Sequence, residues 1–258
     1  MTNQSKIYFA SDFHLGVPNH TESIERERNI VSWLSEIQKD ASEIYLVGDV
    51  FDFWYEWKRA VPRGHVRILG KLAEICDAGI TVHFLTGNHD LWTFGYLEEE
   101  IGLKIHRDPI QIELQGKKCF IGHGDGLGPA DRGYKFLKKI FTSSICQWLF
   151  SRLHPNASFA LANYFSNKSR IANSEADLIF KEDVDEWLVN YAKSLLTKEH
   201  FDYFIFGHRH LPLDIELNKN SQYLNLGEWV NYNSYAILEG GKLELEFYNS
   251  KFSKPVNK

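Results

Sequence analysis

Cysteine is scarce: Cys76, Cys119 and Cys146 are scattered through 258 residues with no C-x-x-C. That spacing argues against a disulfide framework and a zinc knuckle, and fits buried thiols in a reducing compartment. No run of 18 apolar residues occurs, so no segment has the length of a membrane-spanning helix. The opening "MTNQSKIYFASDFH" lacks a basic stretch followed by an apolar one and enters a strand almost at once. The expectation is a chain without a signal peptide. A long basic tract is missing too, and the net charge of -5 argues against broad non-specific nucleic-acid binding without excluding a local basic patch. Internal repeats and low-complexity segments are absent, and the tail "NSKFSKPVNK" reads as a frayed terminus.

What is there is globular. With 43% hydrophobic and 24% charged residues the chain has material for a sizeable core, in one large domain or a domain with an insertion. Aromatics at 14% hint at an apolar ligand, although core packing is their commoner use. Five short apolar runs, rich in β-branched and aromatic residues, each stop in a cluster of Gly, His and Asp. They are "KIYFASDFH" (6–14), "EIYLVGDVFDF" (43–53), "ITVHFLTGNHD" (80–90), "KKCFIGHGD" (117–125) and "FDYFIFGHRH" (201–210). Between the first two, Ile24, Ile30, Val31, Leu34 and Ile37 recur at near-helical spacing, and "RILGKLAEICDAG" repeats that pattern with a stop at Gly79. Strands alternating with helices predict an α/β layered protein, whose ligands sit beyond the carboxyl ends of the strands.

All five runs place ionisable or amide side chains at that edge: Asp12, His14, Asp49, Asn88, His89, Asp90, His123, Asp125, His208 and His210. Alternation along an extended chain would turn His208 and His210 to one side. Taken singly, Asp12 suits a helix cap, Asn88 a turn, and any His a satisfied surface position. Five coincidences at equivalent positions favour a shared site. Carboxylate, imidazole and amide donors without thiolate suit Mn, Fe or Zn rather than a structural zinc. Two such ions about 3.5–4 Å apart would clamp a phosphate and generate a hydroxide nucleophile, so phosphate-ester cleavage is the natural reaction.

The blocks D-x-H (12–14), G-D-x-x-D (48–52), G-N-H-D (87–90), G-H (122–123) and G-H-x-H (207–210) resemble, in order, those of the calcineurin-like metallophosphoesterase superfamily. The resemblance implies a layered β-sandwich flanked by helices and two divalent ions, manganese first, with iron and zinc as alternatives. It further implies that Asp12, His14, Asp49 and His210 hold one ion, and that Asp49 bridges to a second held by Asn88, His123 and His208. His89 would protonate the leaving oxygen or stabilise its charge, with Asp90 orienting the ring.

The core does not name a substrate, but its surroundings are informative. Residues 129–200 separate two ligand-bearing strands and read as a helical cap inserted into a core of 1–128 and 201–258. Its first half mixes Phe136, Leu137, Ile140, Phe141, Trp148, Leu149 and Phe150 with Lys135, Lys138, Lys139 and Arg152. Such a segment packs on the core, or lies on an anionic bilayer and receives acyl chains. "GDVFDFW", "HGDGLGPADRGY" and "NLGEWV" make the arrangement similar to the UDP-2,3-diacylglucosamine hydrolase family of lipid A biosynthesis. That resemblance implies cleavage of a UDP-linked acylated sugar at the phosphate nearer uridine, giving UMP and an acylated sugar 1-phosphate. It also implies Asp131 near the sugar, Ser169 and Asn173 in the cap, and a cytoplasmic location with peripheral contact at the inner membrane. No nucleic-acid partner is expected. The best-known members of that family carry G-N-R-D where this chain has G-N-H-D, the general superfamily pattern. A nuclease or a cyclic-nucleotide phosphodiesterase is the alternative enzyme; a non-catalytic scaffold would have shed ligands, and none is lost here.

Overall fold

The computed structural model describes residues 5–128, 132–162, 164 and 186–257. The five runs form five parallel strands, divided between two sheets. Strands β1 (Lys6–Ala10), β2 (Ala41–Val47), β3 (Thr81–Leu85) and β4 (Lys104–His106) lie parallel in the first sheet, whose order is β11-β10-β1-β2-β3-β4. Helices α1 (His20–Ile37), α2 (Val66–Asp77) and α3 (Tyr96–Glu99) fall between them. The second sheet, β5-β6-β7-β9-β8, holds β5 (Ile110–Leu114), β6 (Lys117–Gly122), β7 (Tyr203–Phe206), β8 (Pro212–Asn218) and β9 (Ser221–Leu226). In it β6, β7 and β9 run parallel. The hairpin of β10 (Ser234–Glu239) and β11 (Lys242–Phe247) closes the first sheet antiparallel to β1.

Strand alternation sorts the side chains into layers. Ile7, Phe9, Tyr45, Val47 and Leu85 meet Cys119, Ile121, Ile205 and Leu224 between the sheets. The intervening Tyr8, Ala10, Ile44 and Leu46 face α1 and α2, and Phe120, Phe204 and Phe206 face α7 (Trp187–Leu196). Strands covered on both faces need no polar alternation, which is why the runs read as continuously apolar. Helix α1 starts at Asn19, whose side chain accepts from the Glu22 N–H at 3.0 Å. The buried Glu27 carboxylate does the same for α2, accepting from Arg67 and Ile68.

Three expectations change. Helix α7, placed by sequence in the insertion, buries Leu188, Val189 and Ala192 against the second sheet and belongs to the core. The tail is not frayed where described: Val256 donates to the Pro212 carbonyl at 2.9 Å, and Asn257 pairs with Asp214. Strand β7 ends at Phe206, so His208 and His210 lie in a turn and strand alternation does not aim them. Of the insertion, α4 (Arg132–Phe141), α5 (Ser144–Ser151) and a helix α6 (155–162) are described. Among the described residues no helix is long and apolar enough to cross a membrane.

Candidate active site

The carboxyl ends of β1, β2, β3, β6 and β7 meet at one edge of the sandwich. Backbone hydrogen bonds stitch the loops that leave them: Asp12 donates to the Gly48 carbonyl and His14 to that of Asp49, each at 3.0 Å. Across the sheets Gly207 donates to the His123 carbonyl at 3.0 Å, and the His208 N–H donates to Asp12 Oδ2 at 2.9 Å. Asp12, His14, Asp49, His208 and His210 all adopt left-handed backbone, with φ of 56°, 44°, 53°, 64° and 59°. Each such residue costs of order 1 kcal/mol or more, and clusters of them mark functional sites. Here the left-handed residue, rather than an extended chain, turns each side chain inward.

Asp12, His14 and His210 form one group, with His210 Nε2 3.2 Å and His14 Nε2 3.6 Å from Asp12 Oδ1 and the two imidazole nitrogens 3.0 Å apart. Asp49, His123 and His208 form a second, in which His123 Nε2 is 3.3 Å from Asp49 Oδ2 and 3.3 Å from Asn88 Oδ1. Asp49 stands between them, its Oδ2 also 3.9 Å from His14 Nε2, and a third grouping joins His14, Asp49 and His89. The His123 Nδ1 donates to the Val47 carbonyl at 2.9 Å, which leaves Nε2 for the site. Asp131, Ser169 and Asn173 lie outside the described residues.

Glycine enters these blocks through close approach. A Cβ on Gly207 would strike the Ser11 hydroxyl and sit 2.5 Å from Asp12 Oδ2, and one on Gly87 would strike Asp49 Oδ1.

Burial and charge oppose each other throughout. Burial raises the Asp12 carboxyl, but hydrogen bonds from His14 and His210 override it and hold the group well below the usual carboxylate range. Asp49 is likewise lowered against its burial, chiefly by the charge of His123. Burial disfavours charge on His123, yet the Asp49 carboxylate holds its pKa well above the ordinary value. His208 goes the other way, lowered to about 4 by burial and by His123. Two buried carboxylates thus stand against buried imidazoles in a place where a cation would balance their charge directly. Among the described residues, Asp12 Oδ1 is buried with only the His14 and His210 imidazoles within reach, at 3.6 and 3.2 Å, and those two rings turn nitrogens toward each other. The donor set fits divalent Mn, Fe or Zn.

A family model described as calcineurin-like phosphoesterase matches residues 5–212. The chain belongs to the calcineurin-like phosphoesterase family. It is also similar to the UDP-2,3-diacylglucosamine hydrolase of Porphyromonas gingivalis, 38% identical over 94% of this chain and 97% of that protein. The proteins of the same name from Aeromonas hydrophila subsp. hydrophila and Shewanella putrefaciens are 28% and 25% identical. The first match spans 92% of this chain and 96% of its relative, the second 93% and 96%.

In this phosphoesterase Asp90 does not orient His89. Its buried carboxylate accepts from the Gly87 and Val50 N–H groups at 2.7 and 2.8 Å, and burial, with Asp49 nearby, pushes it up to about 7. The ring of His89 is held by Asp52, whose backbone carbonyl accepts from Nδ1 at 2.7 Å and whose Oδ1 lies 3.5 Å away. Asp52 Oδ1 is also 3.5 Å from His14 Nδ1. The second Asp of G-D-x-x-D was the signal for this role. Arg26 was missed as well: buried on α1, it donates from Nη1 to the carbonyls of Phe13, His14 and Val17 at 3.2, 2.8 and 3.0 Å, fixing the D-x-H turn. Its only trace in sequence is a position on the buried stripe of α1.

The insertion meets the phosphoesterase core at the same edge. Tyr55 donates to the Gln147 carbonyl at 2.9 Å, Trp92 Nε1 to that of Phe141 at 2.8 Å, and Lys138 pairs with Asp125 at 2.7 Å. Phe150 packs on Phe53, Tyr55 and Trp92, while Phe136, Leu137, Ile145, Trp148 and Leu149 remain exposed.

Proposed function

We propose that this phosphoesterase hydrolyses the pyrophosphate bond of UDP-2,3-diacylglucosamine, releasing UMP and 2,3-diacylglucosamine 1-phosphate. The observation that carries this reading is the two-group Asp/His centre standing beside an aromatic, basic helical wall, as a substrate with one nucleotide end and one acylated end requires. Kinship with relatives named for that activity supports it.

Asp12, His14, Asp49 and His210 would hold one divalent ion, and Asp49, Asn88, His123 and His208 the other, manganese first. Ions so held act as Lewis acids on phosphate oxygens and lower the pKa of water to near neutrality. The chain supplies the rest. His89, with Nδ1 committed to the Asp52 carbonyl, offers Nε2 to the departing oxygen as proton donor. Asp52 keeps His14 and His89 in fixed orientation, and Arg26 keeps the backbone that carries His14. The test is UMP release from the diacyl substrate by Mn-loaded protein, against an aryl phosphodiester. Fast UMP release with slow aryl turnover is expected; aryl turnover alone would discard the substrate and keep a phosphodiesterase of other specificity.

The same reading places the protein in the cytoplasm, in peripheral contact with the inner membrane. Residues 132–164 carry Arg132, Lys135, Lys138, Lys139 and Arg152 and no acidic residue, within a chain of net charge -5. Cations beside exposed Phe136, Ile145 and Trp148 suit an anionic interface. Vesicles containing phosphatidylglycerol should sediment the protein, and those of phosphatidylcholine alone should not. Phe136→Ser with Trp148→Ser should weaken the binding at least about tenfold. Equal sedimentation by both kinds of vesicle would sink this assignment.

A further inference from the structure

Arg209 stands between His208 and His210, and its side chain turns away from the site. It is buried and forks onto Glu186, with Nε 3.0 Å from Oε2 and Nη2 3.0 Å from Oε1. Glu186, also buried, is the residue from which α7 starts. The next residue, Trp187, sets its ring edge-on to His208 with centroids 6.0 Å apart. Leu188 is 3.1 Å from where a Cβ on Gly124 would lie, against the loop that follows His123.

A buried ion pair is a poor investment in stability alone, because desolvation consumes most of its attraction. Its planar two-point fit is good at fixing direction. That matters here because His208 and His210 are both in left-handed backbone, a conformation that persists only where surroundings over-determine it. On the other side of the turn, the His208 N–H is fixed by Asp12, and Asn225 donates to the Gly207 carbonyl at 2.6 Å.

We propose that the Arg209–Glu186 pair presents His208 and His210 to the candidate metal centre, so that α7 and the turn are one positioning unit. This rests on the metal reading above. Both are positioning residues: neither points into the site, and each acts through the two imidazoles. The neighbouring histidines would serve different ions, His210 with Asp12 and His208 with Asp49, so the pair sets the spacing of both.

The test compares Arg209→Met, Glu186→Leu and the double variant, together with Arg209→Lys, by thermal melting and by Mn titration followed by electron paramagnetic resonance. Each apolar single variant should melt lower, since it removes one charge of a buried pair and keeps the other buried. The double variant should recover most of the melting temperature while still binding Mn about 10–100-fold more weakly, as loss of an outer-shell support does. Arg209→Lys keeps charge and stem but not the fork, and should also bind Mn at least about tenfold more weakly; it carries the test if the double variant fails to fold. Wild-type Mn affinity in the double variant or in Arg209→Lys would overturn the proposal and leave the metal centre standing. Wild-type protein that binds none of Mn, Fe or Zn would overturn both.

Discussion

Asp49→Ala should yield a folded protein that retains little metal and hydrolyses no phosphodiester at a measurable rate. The loss should exceed the ~100-fold typical of an outer-shell partner, because Asp49 belongs to two of the three donor groups. The fold should survive: the carboxylate faces the site, where it accepts the His89 N–H and stands 3.3 Å from His123, and the glycine packed against it gains room. Deleting the carboxylate also removes the largest of the charges that hold the His123 pKa above its ordinary value, which eases loss of that ring's proton where burial opposes its charge. Elemental analysis, circular dichroism and turnover of an aryl phosphodiester check the three parts. Activity within tenfold of wild type would mean that Asp49 does not join the two groups.

Trp229→Ala should cause the largest loss of stability of any single change near the site. The indole is almost fully buried, 5.2 Å from Phe13 and 5.0 Å from Trp33 between ring centroids, and closes the layer beneath the D-x-H turn. Removing a buried Trp costs about 3–5 kcal/mol, which in a chain of this size lowers the melting temperature by on the order of 10 °C. The backbone N–H of Trp229 donates to the Asp12 carbonyl at 3.1 Å and survives the substitution, but without the indole the layer under Phe13 loosens, so metal retention should weaken along with the fold. Trp229→Phe, which keeps a ring in the gap, should recover most of both. A melting shift under about 2 °C for the alanine variant would show that the layer repacks without cost.

Much of this was legible because parallel strands leave a coarse trace. Five apolar runs ending in Gly, His and Asp gave the strands, their helices and the edge where the side chains gather. Four of the blocks contain their own explanation for glycine only in three dimensions, as at Gly207 and Gly87, where a methyl group would displace Asp12 or Asp49. The allocation of runs to two sheets left no trace, since every run is covered on both faces and reads alike. Nor did the backbone signs: nothing in "GHRH" distinguishes an extended H-x-H from two left-handed residues. The resemblance gave Asp90 to His89, whereas the turn sends Asp90 down to the backbone of Gly87 and Val50 and the loop after β2 brings Asp52 to the ring. Helix α7 was misplaced because "WLVNYAKSLL" is apolar on one face whichever partner covers it.

The division of donors between sheets has one more consequence. Asp12, His14, Asp49 and Asn88 hang from the first sheet, and His123, His208 and His210 from the second. An ion gripped from both sides is a rivet through the sandwich, and it is gripped only while the sheets are closed. Ion supply would therefore become a variable of folding as well as of catalysis: each tenfold rise in free ion above its dissociation constant adds about 1.4 kcal/mol to the closed state. In a cell short of the metal, such an enzyme would lose abundance together with rate.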